Sequence, residues 1–273
     1  MKFYPATHPD DYYRLDTSAL RDRFLIENIR PPAGASLSYV HDDRAIAGGV
    51  TVASELPEHL IKESDSAAWR DREIGIFNLG YNPGRVRFNG ESFELGPEDA
   101  LYLGMGAAEL ILESCVGEAF FFIGAAPAHR NLPTRRILKN ETEGIALGSS
   151  ESANERVIRK YICPGITESC QLTMGITSLE AGSIWNTMPC HLHHRRMEIY
   201  CYYGLPENGV VFHQMGRPDE LRTLAVRNYQ AVISPPWSVH FGAGTSNYKF
   251  LWMMLGENRD LADVQPVPME KLR

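Results

Sequence analysis

The sequence predicts an all-β protein built of two related β-barrels in tandem, with few helices. Three observations carry this expectation. Short alternating segments bounded by Gly, Pro, Asn and Asp recur along all 273 residues. Asn89-Gly90 lies between the alternating runs 85–88 and 91–95, the strongest short signal for a β-hairpin. Segment 99–110 can be laid over segment 230–241: each runs from a polar residue through an apolar strand into a Gly/Pro corner. In that overlay Glu109 falls where His240 stands.

Taken in order, helical pattern is confined to Ser18–Asn28 and His59–Trp69. After the 85–95 hairpin, Gly96-Pro97 turns the chain into a strand at Ala100–Leu103. Ala108–Glu113 and Ala119–Ile123 read as further strands. The second half repeats the style at 171–179, 183–187, 198–203, 210–215, 221–226, 231–233 and 248–255. Its turns carry Gly182, Gly204, Asn208-Gly209 and Pro218-Asp219. The expected organisation is an N-terminal barrel over 1–128, a polar Gly/Ser-rich connection over 129–155, and a C-terminal barrel over 156–273.

At 44% apolar residues the chain can bury a full core. A net charge of −7 argues against nucleic acid as a partner. The N-terminal residues lack the apolar stretch of a secretory signal, and no run approaches the roughly 18 apolar residues of a membrane span. Five scattered cysteines with no CxxC fit a reduced, cytoplasmic protein, with Cys190 a packed, inert thiol.

The chemistry concentrates near the C-terminal end. His191, His193 and Glu198 form an HxHx4E run, and His240 follows 42 residues after the glutamate in Pro235-Pro236-Trp237-Ser238-Val239-His240. Three imidazoles and a carboxylate suit Zn, Fe, Mn or Ni. On a strand His191 and His193 share a face, and His194 points the other way. Alternation from Glu198 likewise places Tyr200 and Tyr202 on its face, opposite Ile199, Cys201 and Tyr203. The first half has no HxH, so one metal site is expected, in the second barrel. Trp252 and Met254 share a face of a late strand, as core or cavity wall.

At these residues the sequence resembles the cupins, with His191, His193 and Glu198 as the first motif. Pro235, Trp237 and His240 form the second, with Trp237 where cupins carry Gly. The stretch Trp185-Asn186-Thr187-Met188-Pro189-Cys190-His191 narrows the resemblance to the 5-keto-4-deoxyuronate isomerase family, and it extends over nearly the whole chain. The resemblance implies a double-cupin fold and a metal site of His191, His193, Glu198 and His240. It implies one Zn2+ per subunit, with Mn2+ or Fe2+ as alternatives, and a hexameric, cytoplasmic enzyme of pectin breakdown.

The implied reaction is an aldose–ketose isomerisation of a small linear uronate through an enediolate. A tyrosine beside the metal, Tyr202 and then Tyr200, would hand protons between oxygens, with Glu198 as a further shuttle. The substrate carboxylate wants a guanidinium, for which Arg195, Arg196 and Arg135 are the candidates. The competing readings are an isomerase acting on 5-deoxyglucuronate and an Fe-dependent cupin dioxygenase.

Overall fold

The computed structural model describes residues 1–62, 65–106 and 109–273. Two large sheets and two small ones hold most of its strands. The first large sheet runs, in spatial order, Lys2–Tyr4, Gly34–Val40, Ala45–Val52, Ala119–Pro127, Arg72–Asn78, Ala100–Leu103 and Arg135–Ile137. Its companion orders Glu58–Lys62, Glu109–Ser114, Gly84–Phe88 and Glu91–Leu95. The second large sheet runs Gly144–Leu147, Arg156–Ile162, Thr173–Leu179, Lys249–Gly256, Arg196–Tyr203, Gln230–Ser234 and Leu25–Ile26. Its companion orders Trp185–Asn186, Val239–Gly244, Val211–Arg217 and Glu220–Val226.

The two halves thus repeat one strand order. Ala100–Leu103 and Gln230–Ser234 hold the same place in their large sheets, as Glu109–Ser114 and Val239–Gly244 do in the small ones. This is the correspondence that the overlay of 99–110 on 230–241 anticipates, although Ala107 and Ala108 lie outside the described residues. Glu109 itself is exposed and pairs with Lys62 at 3.4 Å, so its carboxylate is a surface group.

The chain forms two compact units. The first comprises 1–3, 28–143 and 160–174; the second comprises 4–27, 144–159 and 175–273. Segments 4–27 and 160–174 thus each join the unit opposite to the one that the halves 1–128 and 156–273 assign them. The polar stretch 129–155 is also more than a connection, since it supplies edge strands to both large sheets. The first unit packs Ile46, Val50, Ile76, Leu101 and Phe121 of one sheet against Val86, Leu110 and Leu112 of the other. Its interior is filled with hydrocarbon.

Local chemistry explains where expectation and structure part. Asn89 (φ 48°) and Gly90 (φ 81°) adopt the positive φ values that a two-residue hairpin turn needs, pairing Phe88 with Glu91 as expected. The N-terminal helix starts at Thr17, where the Asp16 carboxylate accepts from the Ala19 N–H at 2.8 Å. It ends at Phe24 rather than Asn28, because Leu25 and Ile26 pair with Val232 and Ala231 at the sheet edge. The helix expected over His59–Trp69 is absent among its described residues. Glu58–Lys62 is a strand paired with Glu109–Glu113, and Ala67–Trp69 is a single 3-10 turn; Glu63 and Ser64 lie outside the described residues. The strand expected from Ala108 begins, within the described residues, at Glu109.

Candidate metal centre

The site lies between the two sheets of the second unit. Glu198 projects from Arg196–Tyr203 in the large sheet, and His240 from Val239–Gly244 in the small one. His191 begins a two-residue strand, His191–Leu192, that pairs with Gln265–Pro266 of the C-terminal tail. His193 follows beyond it, buried, while His194 is exposed in the turn that follows. Trp237, where cupins carry Gly, packs against Tyr12 and Phe24 of the N-terminal segment at ring separations of 5.1 and 6.2 Å.

One ring nitrogen from each of His191, His193 and His240 lies within 4.8 Å of the others. The Glu198 Oε2 is 2.9 Å from the His240 Nε2 and 3.8 Å from the His193 Nδ1. The 2.9 Å approach lacks hydrogen-bond geometry, and both of its atoms are buried without a partner. Burial, reinforced by the charge of His240 and Arg196, pushes the His191 imidazole down to about 3, and the same causes hold His193 well below its ordinary value. Converging ring nitrogens beside an unpartnered carboxylate oxygen are a set a divalent cation satisfies. Among the described residues no other such cluster of His, Cys, Asp or Glu occurs.

The structure separates the other candidate residues. Tyr200 stands edge-on to His240 at 5.5 Å, and its hydroxyl is 2.8 Å from the Thr187 Oγ1. Thr187 has φ 45°, a strained conformation for a β-branched residue. Tyr202, fully buried, is engaged one layer away: its hydroxyl is 2.7 Å from the His213 Nδ1 and accepts from the Asn186 Nδ2 at 3.1 Å. Burial raises both phenols well above their ordinary range, with the Glu198 charge adding to the rise for Tyr200. Trp252 and Met254, both buried, pair with Tyr200 and Glu198 on the neighbouring strand. Burial also raises the Cys190 thiol, in keeping with an inert role.

Arg195 is exposed and ion-paired to Glu257 at 2.9 Å and Asp263 at 3.5 Å. Arg196 is 1% exposed and donates to the backbone carbonyls of Asp260 and Asp263 at 2.6 and 2.7 Å. It ties the C-terminal tail to the strand that carries Glu198. Arg196→Ala should therefore cost about 3 kcal/mol, from two lost charge-assisted bonds at roughly 1.5–3 kcal/mol each; urea unfolding measures this, and an unchanged midpoint would refute the tie. Arg135 belongs to the first unit, exposed on an edge strand and paired with Tyr102.

Sequence reading gave no role to Asn186, Thr187, His213 and Tyr248, which form the polar layer around the two tyrosines. Alternation along Val211–Arg217, buried at Val211, His213 and Met215, was the available signal for His213. His213 is fully buried, and burial holds its imidazole at about 3 against an ordinary 6.5. The unfolded chain takes up this proton below pH 6.5 while the folded chain does so only near pH 3. Stability from His213 is thus intact above pH 6.5 and falls by about 1.4 kcal/mol per pH unit on acidification through that window. His213→Gln should flatten the fall of Tm between pH 6.5 and 4; parallel profiles for the two proteins would refute this.

Solved structures share this architecture. An IolB-like protein from Salmonella typhimurium LT2 matches with a TM-score of 0.73 at 17% identity, over 89% of this chain and 96% of that one. Bacillus subtilis oxalate decarboxylase, with Mn(II) centres, matches at 0.58 and 12% identity, over 86% of this chain and 76% of that one. Two repeated pairs of sheets, with a histidine cluster between the sheets of the second, make this a double-cupin protein able to hold a metal ion. A 4-deoxy-L-threo-5-hexosulose-uronate ketol-isomerase from Caldicellulosiruptor bescii is 46% identical over 98% of both chains. One from Yersinia pseudotuberculosis is 42% identical over the full length of both. The KduI/IolB family model matches residues 83–267, and the chain belongs to that family.

Proposed function

We propose that this protein is a ketol-isomerase converting 4-deoxy-L-threo-5-hexosulose uronate to 3-deoxy-D-glycero-2,5-hexodiulosonate, an aldose–ketose isomerisation. Full-length similarity to relatives of that printed name carries the reading. The buried donor set of three imidazoles and a carboxylate supports it. His191, His193, His240 and Glu198 would hold the ion, which supplies Lewis acidity toward the substrate's carbonyl and neighbouring hydroxyl oxygens. The sequence resemblance supports zinc as that ion, a hexamer as the assembly, and the cytoplasmic breakdown of pectin as the setting. Among the described residues, no helix is long and apolar enough to cross a membrane.

The reaction moves one proton from C2 to C1 and one between the two oxygens. Burial keeps His191 and His193 uncharged, so their lone pairs stay available for a cation. The Tyr200 ring stands beside His240, its hydroxyl is bonded to that of Thr187, and it would exchange a proton with a substrate oxygen. Glu198 would add a second proton acceptor through the carboxylate oxygen that does not hold the ion. Tyr202, held by Asn186 and His213, fixes the wall behind Tyr200.

The test is direct. Zinc-loaded protein is incubated with the 5-keto uronate and formation of the 2,5-diketo acid is followed. Parallel assays use 5-deoxyglucuronate, and Fe(II)-loaded protein with oxygen uptake as the readout. Turnover of the 5-keto uronate is expected; its absence with Zn, Mn and Fe alike, or turnover of 5-deoxyglucuronate alone, overturns the assignment.

A further inference from the structure

We infer that Arg156 is the group that binds the substrate's terminal carboxylate in the second barrel. The inference rests on the uronate reading above. Arg195 is exposed and saturated by Glu257 and Asp263, and Arg196 is committed to two backbone carbonyls. Arg156 is half-buried, and its one hydrogen bond among the described residues runs from Nη1 to the Asn154 carbonyl at 2.8 Å. Among the described residues no carboxylate pairs with it. A guanidinium has five N–H donors, so most of this one's donors stay open. A partly desolvated cation without a counter-ion is unfavourable in the free protein and becomes satisfied when an anion arrives.

Strand register places it on the right face. The Glu180 N–H donates to the Glu155 carbonyl, and the Leu179 N–H donates to the Tyr248 carbonyl. Those two bonds align Arg156, Leu179 and Tyr248 in one row across three strands, about 10 Å from end to end. Residues in one row share a face. Phe250, Trp252 and Met254 share the face of Tyr248, and they pair with Tyr202, Tyr200 and Glu198. Arg156 therefore stands on the same sheet face as Glu198. A second path joins it to the site. The Asn154 Nδ2 donates to the Met188 carbonyl at 3.2 Å, and the preceding Thr187 bonds Tyr200 beside His240. The Tyr200 and Tyr248 phenols lie within electrostatic reach of the guanidinium. A linear uronate with its aldehyde end at the histidine cluster would lie past Tyr200 and present its carboxylate to Arg156.

The test compares zinc-loaded wild type, Arg156→Gln and Arg156→Lys. Three readouts are taken: zinc per subunit, calorimetric binding of glucarate (an open-chain diacid with no aldehyde to isomerise), and kinetics on the 5-keto uronate and its C6 carboxamide. Arg156→Gln should keep its zinc, weaken glucarate binding and raise KM for the uronate by about 10- to 150-fold, with kcat changed less than about threefold. Its KM for the carboxamide should match the wild type. Arg156→Lys should fall between, because a point charge replaces a planar fork, and it decides the matter if Arg156→Gln loses zinc. Unchanged glucarate binding and KM in both variants overturns the inference. So does an equal loss on acid and carboxamide, or wild type that binds no glucarate and does not prefer the acid. Failure of the isomerase reading alone shows differently: no protein turns over either substrate, yet glucarate binding still drops in Arg156→Gln.

Discussion

Alanine at His240 should remove bound metal and turnover together, lowering kcat/KM by about 10^3-fold or more, since Lewis-acid stabilisation is worth several kcal/mol. The same is expected at His191 and His193, because the three ring nitrogens form one cluster within 4.8 Å. Each ring is positioned by a different device: a strand paired with the C-terminal tail, the turn after it, and a strand of the small sheet. Removing one therefore leaves the other two in place, but without the geometry a divalent ion requires. Metal content by mass spectrometry and turnover of the 5-keto uronate should fall in parallel. His194→Ala is the control, since that side chain is exposed beside the site. A His240→Ala protein that loses its metal yet keeps full turnover would make the ion structural.

Tyr200→Phe should lower kcat by about 10^2- to 10^4-fold, the range of positioned proton transfer, while metal content stays at the wild-type level. Tyr200 is the phenol whose ring borders His240 and whose hydroxyl, among the described residues, is partnered by that of Thr187. Tyr202→Phe should act otherwise. Its hydroxyl is already engaged by Asn186 and His213, so its loss leaves buried polar atoms unpaired and costs about 1–3 kcal/mol of stability. Separate kcat and denaturation measurements on both variants decide the assignment. Wild-type kcat in Tyr200→Phe, or a larger kcat loss in Tyr202→Phe, would transfer the proton to the deeper residue.

The candidate residues of the site were legible because they depend on local rules. HxH on a strand puts two imidazoles on one face, and period-two alternation puts Tyr200 and Tyr202 with Glu198. The Asn89-Gly90 turn was legible for the same reason: its backbone demands positive φ at two adjacent positions. Harder to read were segments whose structure is set by a distant partner. Leu25 and Ile26 continue a helical pattern, yet they are extended because Val232 and Ala231 offer backbone partners. Glu58–Lys62 is a strand because Glu109–Glu113 lies beside it.

The two adjacent arginines show where sequence stops. Arg195 and Arg196 look equivalent in the chain, side by side in a short turn before Glu198. One is solvated and paired with carboxylates, while the other is fully buried on the carbonyls of the returning tail. Sequence by itself determined the all-β class and the repeat, and it named the three histidines that cluster. Tertiary structure alone brought His240 to Glu198 across two sheets, put the N-terminal segment into the second large sheet, ranked the tyrosines, and left Arg156 facing inward without a counter-ion. The physical reason is range. Alternation and turn geometry are fixed by neighbouring backbone dihedrals, whereas strand pairing and the satisfaction of buried charge depend on groups far away in the chain.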